Sequence, residues 1–462
     1  MKQDLSVIIL AAGQGTRMKS KKAKVLHEAG GETLLNHVVQ QALTVTDPAR
    51  VVAVIGHQAD RVRESVSAPI QFALQAEQKG TGHAVLCAQP FVDPSSELLM
   101  ILSGDGPLIL PATLQALAES VRGGIQGAIA TTEVDDPTGY GRIIRNEQGG
   151  IAAIVEEKAA TPEIRRIREI NAGVYCFRPV IWKLVEQIHP SNPAGEYYLT
   201  DVVELMMHSG GQVTPLLVRD STELLGINTM AELAVADGIL RQRKAMELML
   251  SGVTIENPAS VTIDRAVTID PDTVIEANVQ LRGDTRVGGG CRIGTGSVLR
   301  NCVVEDNVSI LPYVVADQAH IGSNANVGPF ARLRPKAHAC EGTHIGNFVE
   351  LKNTTLGAGS KANHLAYLGD SDIGSGVNIG AGTITCNYDG TKKHRTNIQK
   401  GVFVGSNSTL VAPVTIHQGA YIAAASIITQ DVQPDALAIG RARQENKPGW
   451  AKRRREMDTV EK

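Results

Sequence analysis

Aromatic side chains are scarce in this 462-residue sequence, 3% of the total, while glycine occupies 46 positions. That imbalance points away from a core of large rings and toward an architecture of tight corners and thin packed layers. Cysteine occurs six times, at Cys87, Cys176, Cys291, Cys302, Cys340 and Cys386, but never as C-x-x-C. Neither a zinc cluster nor a disulfide framework is expected, and a reducing, cytoplasmic setting fits. No run approaches the roughly 18 apolar residues needed to cross a bilayer. The short stretch LSVIIL, preceded by Asp4, reads as a strand and not as a signal peptide. Neither sign of charge dominates: a formal net charge of -3 excludes a general polyanion-binding surface, and with it nucleic acid as an expected partner. The basic run Lys452, Arg453, Arg454, Arg455 is confined to the tail and reads as a solvated helix end.

What is present divides into two halves with different periods. Residues 1–228 alternate short apolar runs (SVIILAA, VVAVIG, LLMILSGD) with helical patterns, the signature of βα units around a mostly parallel sheet. In one helix candidate Leu34, Leu35, Val38, Val39, Ala42 and Leu43 recur at spacings of three and four, one apolar face to lay on that sheet. Residues 229–250 read as a long connecting helix, 251–440 as a second domain and 441–462 as a tail.

In the second domain an apolar residue recurs at every sixth position: Ile263, Ile269, Ile275, Leu281, Val287, Ile293, Leu299, then Ile321, Val327, Leu333, then Ile345 and Leu351, Ile373 and Ile379, and Val404, Leu410, Ile416, Ile422, Ile428. This hexapeptide repeat predicts a parallel β-helix of about nine three-edged turns, each short strand pointing one apolar side chain inward and a small residue turning each corner. The repeat is expected to break at KANHLAYLGD (361–370) and at the polar, basic insertion CNYDGTKKHRTNIQK (386–400). Departures from a rigid scaffold are where binding and catalysis concentrate. The exposed faces carry no regular ladder of one residue type, as a purely structural solenoid would require.

The chemistry-bearing motifs begin with LAAGQGTRM, residues 10–18, directly after the first strand. It lacks the third glycine of G-x-G-x-x-G and the G-K-[ST] ending of a P-loop. Gly13 and Gly15 would let backbone N–H groups approach a phosphate, with Arg17 and Lys24 supplying charge. On these residues alone, a nucleotide-phosphate site and a structural turn stand equally open. In SGDGPL, Asp105 emerges at a strand's C-terminal end, where one carboxylate suits Mg²⁺ completed by phosphate oxygens, and where a tight Gly-Pro turn would equally explain it. His364, with Lys361 and Tyr367 near it and Asn378 one coil later, is a candidate general base or a structural histidine.

Taken together and in order, LAAGQGTRM, Lys24, QAEQKGTGHA, SGDGPL, GYGR, IVEEK, EINAG, EYYLTD and GIN, followed by the hexapeptide half, resemble the bacterial bifunctional N-acetylglucosamine-1-phosphate uridyltransferase/glucosamine-1-phosphate acetyltransferases over nearly the whole chain. The resemblance implies an α/β Rossmann-like nucleotidyltransferase domain followed by a left-handed parallel β-helix, a homotrimer formed through that helix, and small molecules as its only other partners. It implies acetylation of glucosamine-1-phosphate by acetyl-CoA, then transfer of UMP from UTP with release of pyrophosphate, giving UDP-N-acetylglucosamine for the cell envelope. Leu10, Ala11, Ala12, Gly13, Gln75, Gly80 and Thr81 would contact the nucleoside. Arg17 and Lys24 would hold the triphosphate and offset the charge of reaction, with Ser103 and Gly104 lining the site. Asp105 and Asn228 would share Mg²⁺, and Gly141, Glu156, Asn171 and Thr200 would surround the sugar. In the second half His364 would be the base, Arg334, Lys352, Tyr367 and Asn378 would bind glucosamine-1-phosphate, and Ala381, Asn387, Tyr388, Ser406, Ala424 and Arg441 would line the acetyl-CoA site. Gly106 departs from the family, which carries a branched apolar residue there. The insertion around Lys392 to Arg395 reads as a solvated loop or as a reach toward a neighbouring subunit. The other readings are a β-helix that only assembles or regulates a nucleotidyltransferase, and a purely structural solenoid.

Overall fold

A computed structural model describes residues 4–190 and 195–460. The chain forms two compact units, Met1–Arg243 and Lys244–Lys462, divided within the long helix Met230–Leu250. The strands of the first unit are Leu5–Ala11 (β1), Val51–Ile55 (β2), Gln71–Leu74 (β3), Leu98–Ser103 (β4), Gly127–Glu133 (β5), Gly141–Arg145 (β6), Ile151–Val155 (β7), Glu169–Phe177 (β8) and Val213–Leu217 (β9). They join in the order β9-β5-β8-β4-β1-β2-β3, with β6 and β7 attached beside β8. Strand β1 is parallel to both β2 and β4, whereas β8 runs antiparallel between β4 and β5. Both faces are covered, so β1 is apolar apart from Ser6, whose buried hydroxyl pairs with Ser96 Oγ at 2.6 Å: Val7 and Ile9 pack into one core and Ile8 into the other. Helix α1, Leu34–Val45, lays its apolar stripe on the first of these cores; its N-terminus is capped by the Thr33 hydroxyl accepting from Asn36 N at 3.2 Å. The parallel arrangement gathers the C-terminal ends of β1, β3 and β4 along one edge of the sheet. LAAGQGTRM, Gln75 and Asp105 all leave the sheet there.

The second unit is the hexapeptide β-helix. Its strands, mostly two or three residues long, stack into three parallel sheets of eleven, ten and nine, more coils than the nine counted from the periodic residues. The additional coils were hidden because some edges are five residues long, which resets the phase. After Leu299 the inward positions continue through Val304, Ile310 and Ala316 to Ile321, all buried. The same reset carries Leu351 through Leu356, Ala362 and Leu368 to Ile373. KANHLAYLGD is therefore not a break: Lys361–His364 and Tyr367–Gly369 are strands in register with the coils on either side, and a small inward Ala362 disguised the repeat. CNYDGTKKHRTNIQK is a true insertion, but only from Asn387 to Arg395; Thr396–Ile398 rejoins the third sheet with Ile398 fully buried.

The interior is packed with Ile, Val, Leu, Ala and Cys and contains no aromatic side chain among the described residues. Rings appear outside instead. Tyr313, Phe330 and Phe348 occupy one corner at positive φ, roughly half exposed, with centroids 5.2 and 5.5 Å apart, and Leu365 continues the column. Bulky side chains in the left-handed region are uncommon; the column mixes Tyr, Phe and Leu and so is not a ladder of one residue type.

Candidate functional sites

In the first unit the edge at β1, β3 and β4 opens into a cleft of about 350 Å³ lined by Leu10, Ala11, Ala12, Gly13, Lys24, Gln75, Gly80, Thr81, Ser103 and Asp105, together with Val25, Gln78, Ala84 and Glu196. Gly13 has open space where a side chain would be, so the backbone there faces the cleft. Gly15 does something else: at φ +70° its missing Cβ would lie 2.5 Å from Lys24 Cβ, and its absence lets Lys24 pass close under the loop. Gly104 does not line the cleft. It is buried under β1, donating its N–H to Leu10 O at 2.9 Å.

Five charged or polar groups from distant parts of the chain converge at the mouth. The Lys24 ammonium contacts the Asp105 carboxylate and donates to Asn228 Oδ1 at 3.0 Å, Arg17 Nη2 donates to the same Asn228 oxygen at 2.7 Å, and Ser103 Oγ donates to Asp105 Oδ1 at 2.6 Å. The Lys24 and Asp105 side chains are 16% and 13% exposed, so their attraction is less screened than at an open surface. Asn228 is held by a capping box that opens the long helix: Thr229 caps it, and Glu232 accepts from the N–H groups of Asn228 and Thr229. The oxygens of Asp105 and Asn228 thus aim at one cation, which is the donor set a hard divalent ion takes. Among the described residues no group of three or more His, Cys, Asp or Glu side chains is placed to hold a metal.

A second cluster comes from the antiparallel part of the sheet. Gly141 opens β6 opposite Asn171 of β8, and a Cβ on Gly141 would meet Glu156 Oε1 at 3.4 Å. Thr200 Oγ donates to that Glu156 oxygen at 3.3 Å, and Asn171 Nδ2 donates to the Tyr175 hydroxyl at 2.7 Å. Burial pushes the Glu156 carboxyl pKa upward, with Asp201 and Glu196 adding to it. Arg142 of GYGR is buried and structural, bound to Tyr140 O and at 2.7 Å to Glu157. Tyr140, next in the chain to Gly141, was not singled out by the sequence; its phenol pKa is pushed up, by burial first and then by Glu232, and Asp105 and Arg17 of the first cluster also act on it. Only folding brings it there, and a tyrosine between glycines carries no distinct signal.

In the β-helix, strand register aligns the remaining candidates. Two residues beyond the inward Ile345, Ala362, Ile379, Val404 and Ile422 lie Asn347, His364, Ala381, Ser406 and Ala424, one column down one corner. His364 is exposed, and its Nδ1 lies 3.0 Å from Asn347 Oδ1. An amide oxygen only accepts, so Nδ1 carries the proton and Nε2 presents its lone pair. Below His364 the column holds only small side chains, a track for a slender ligand at about 4.8 Å per coil. Asn378 pairs with Lys361 one coil from the His364 strand.

Around the corner, Arg334 donates to Glu350 at 2.9 Å, and Lys352 lies 3.7 Å from Asp370. Asp370 is almost fully buried between the amides of Asn353 and Asn387; burial opposes its charge, but those amides and Lys352 outweigh it and hold the carboxyl below its usual range. The insertion folds back on its own chain as a small hairpin, Tyr388 bridging Lys393, and sets the Lys393 ammonium beside Lys352, whose like charge lowers the Lys393 pKa. The Asp370 carboxylate, 3.7 Å from Lys352, offsets part of that repulsion. Lys393, Asp370 and Asn347 were missed by the sequence reading, where they were one lysine in a basic run, one aspartate and one asparagine among many. Tyr388 is mostly exposed in the hairpin, donating to Gly390 O at 2.5 Å, and Arg441 is exposed beyond the last strand; nothing in the described residues joins either to His364.

The profile of the MobA-like NTP transferase domain family matches residues 7–183. The bifunctional protein GlmU of Solibacter usitatus is 51% identical over 460 residues, covering 99% of both chains. Those of Koribacter versatilis and Sorangium cellulosum are 48% and 49% identical over 456 and 459 residues, each spanning 97% of this chain and 97% and 96% of their own.

Proposed function

The chain belongs to the family of bifunctional GlmU proteins, and from that premise we propose how its two units divide the work. The enzyme acetylates glucosamine-1-phosphate with acetyl-CoA and then joins UMP from UTP to the N-acetylated product, releasing pyrophosphate and forming UDP-N-acetylglucosamine. The observation that carries the assignment of sites is the pair of constellations: Arg17, Lys24, Asp105 and Asn228 at a cleft on a parallel-sheet edge, and His364 at the head of a column of small residues.

In the first unit the cleft receives the nucleoside against Leu10 to Gly13, Gln75 and Gly80, while Arg17 and Lys24 hold the phosphates. Gly141, Glu156, Asn171 and Thr200 orient the sugar so that its phosphate attacks the α-phosphorus of UTP in line. Asp105 and Asn228 fit Mg²⁺, which when bound would neutralise phosphate charge there. The Lys24 ammonium contacts those same two oxygens.

In the second unit Arg334, Lys352 and Lys393 bind the sugar phosphate, and Tyr367 and Asn378 orient the sugar. The pantetheine arm lies along Ala381, Ser406 and Ala424, with Asn387, Tyr388 and Arg441 toward the rest of acetyl-CoA. As the amine attacks the thioester carbonyl, His364 Nε2 takes its proton and the CoA sulfur leaves. The exposed ladder Tyr313, Phe330, Phe348 and Leu365 supports a homotrimer through the β-helix, since stacked apolar side chains left in water favour burial against another copy. We take the compartment to be the cytoplasm, where both co-substrates are made; no helix among the described residues is long and apolar enough to cross a membrane.

The test is reciprocal. Asp105→Asn is expected to remove pyrophosphate release by about 10²–10³-fold and leave acetyl transfer intact, and His364→Ala the reverse. Loss of both activities in either folded variant would overturn the assignment.

A further inference from the structure

Gln75 is only 4% exposed, yet it borders the nucleotide cleft. Its backbone is fixed by its N–H donating to Ile55 O at 2.8 Å. Both hydrogens of its Nε2 are committed inward: one to Gly80 O at 3.0 Å, the other to His83 Nδ1 at 3.1 Å. Because Gly80 O can only accept, the nitrogen of the amide must face it, and the amide cannot turn over without setting two oxygens against each other. Because His83 Nδ1 accepts, the imidazole proton sits on Nε2, which faces Cys87 Sγ at 3.8 Å. Gln75 Oε1 makes no hydrogen bond among the described residues and is left to the cleft as a pure acceptor.

We infer that His83, on the helix Thr81–Ala88, is a positioning residue for base selection: it locks the Gln75 amide so that its oxygen reads the N3–H of a uracil ring. A carbonyl oxygen at that place accepts from the imide N–H of uracil. It meets a lone pair on N3 of cytosine, so a cytidine nucleotide is rejected by repulsion and by an unpaired acceptor. His83 itself touches no substrate and acts only through Gln75. The inference rests on the cleft being the UTP site.

The test measures kcat/KM for UTP and for CTP with the full-length enzyme. His83→Asn keeps an acceptor near the Nδ1 position, whereas His83→Gln, of similar polarity, moves it outward. One of two restraints on the amide is lost in the second variant, so its UTP/CTP ratio is expected to fall about three- to tenfold while His83→Asn stays near wild type. A purely structural histidine would lower both substrates together and leave the ratio alone. Equal, wild-type ratios in the two variants would overturn the inference. A wild-type enzyme that releases no pyrophosphate from UTP would instead fail the reading of the cleft, so the two failures are distinguishable.

Discussion

Asn347 offers the sharpest test of how the β-helix catalyses acetyl transfer. Its Oδ1 accepts from His364 Nδ1 at 3.0 Å across adjacent coils, which leaves Nε2 as the basic nitrogen. Truncation in Asn347→Ala removes that partner without touching Arg334, Lys352 or Lys393, which lie on another face. A neutral hydrogen bond at an exposed site is worth about 0.5–1.5 kcal/mol net, so kcat is expected to fall about two- to twelvefold. KM for glucosamine-1-phosphate should scarcely change. His364→Ala removes the base itself and should cost about 10²–10⁴-fold. If Asn347 works only through His364, the double variant is no slower than His364→Ala alone. The assay is thiol release from acetyl-CoA under saturating sugar phosphate in all four proteins. A twofold or greater further loss in the His364→Ala background, or a rise in KM at constant kcat, would refute the reasoning.

Two further perturbations probe the frame around the sites. Gly346 lies so close to the next coil that a β-carbon on it would overlap the Asn363 carbonyl, just before His364; Gly346→Ala is expected to cost about 1–3 kcal/mol of stability and to reduce acetyl transfer, with pyrophosphate release unchanged, and unaltered acetyl transfer would show the coils can separate freely. Glu156 holds its proton to higher pH when folded than its ordinary 4.5, because it is buried and faces Asp201 and Glu196. The native state then binds more protons than the unfolded chain, so stability drains away as pH climbs from about 4.5 through the raised value. Glu156→Gln should therefore unfold at a higher temperature than wild type at pH 8 and at nearly the same temperature at pH 4; a gap independent of pH would place the carboxyl in water.

Much of the architecture was legible because it is written in local periods. The six-residue recurrence from Ile263 to Leu299 and the three-four spacing of Leu34 to Leu43 each follow from which side chains one short element can bury. Where an edge shortened to five residues, or where Ala362 replaced a branched residue, the period failed, and a regular coil looked like a break. The ladder Tyr313, Phe330, Phe348 escaped notice for a related reason. Its members are 17 and 18 residues apart, a spacing that means nothing until coils are stacked.

The two-part plan, the sheet edge that carries LAAGQGTRM and Asp105, and the family are all readable from the order of residues. Tertiary structure alone decided which polar groups meet. Asn228 reaches Lys24 and Arg17 across more than two hundred residues, Lys393 folds back onto Lys352, Asn347 sets the tautomer of His364, and His83 turns the amide of Gln75. An apolar stripe is set by neighbours along one helix or strand, whereas a hydrogen bond needs two particular atoms within about 3 Å. That proximity is a property of the folded chain.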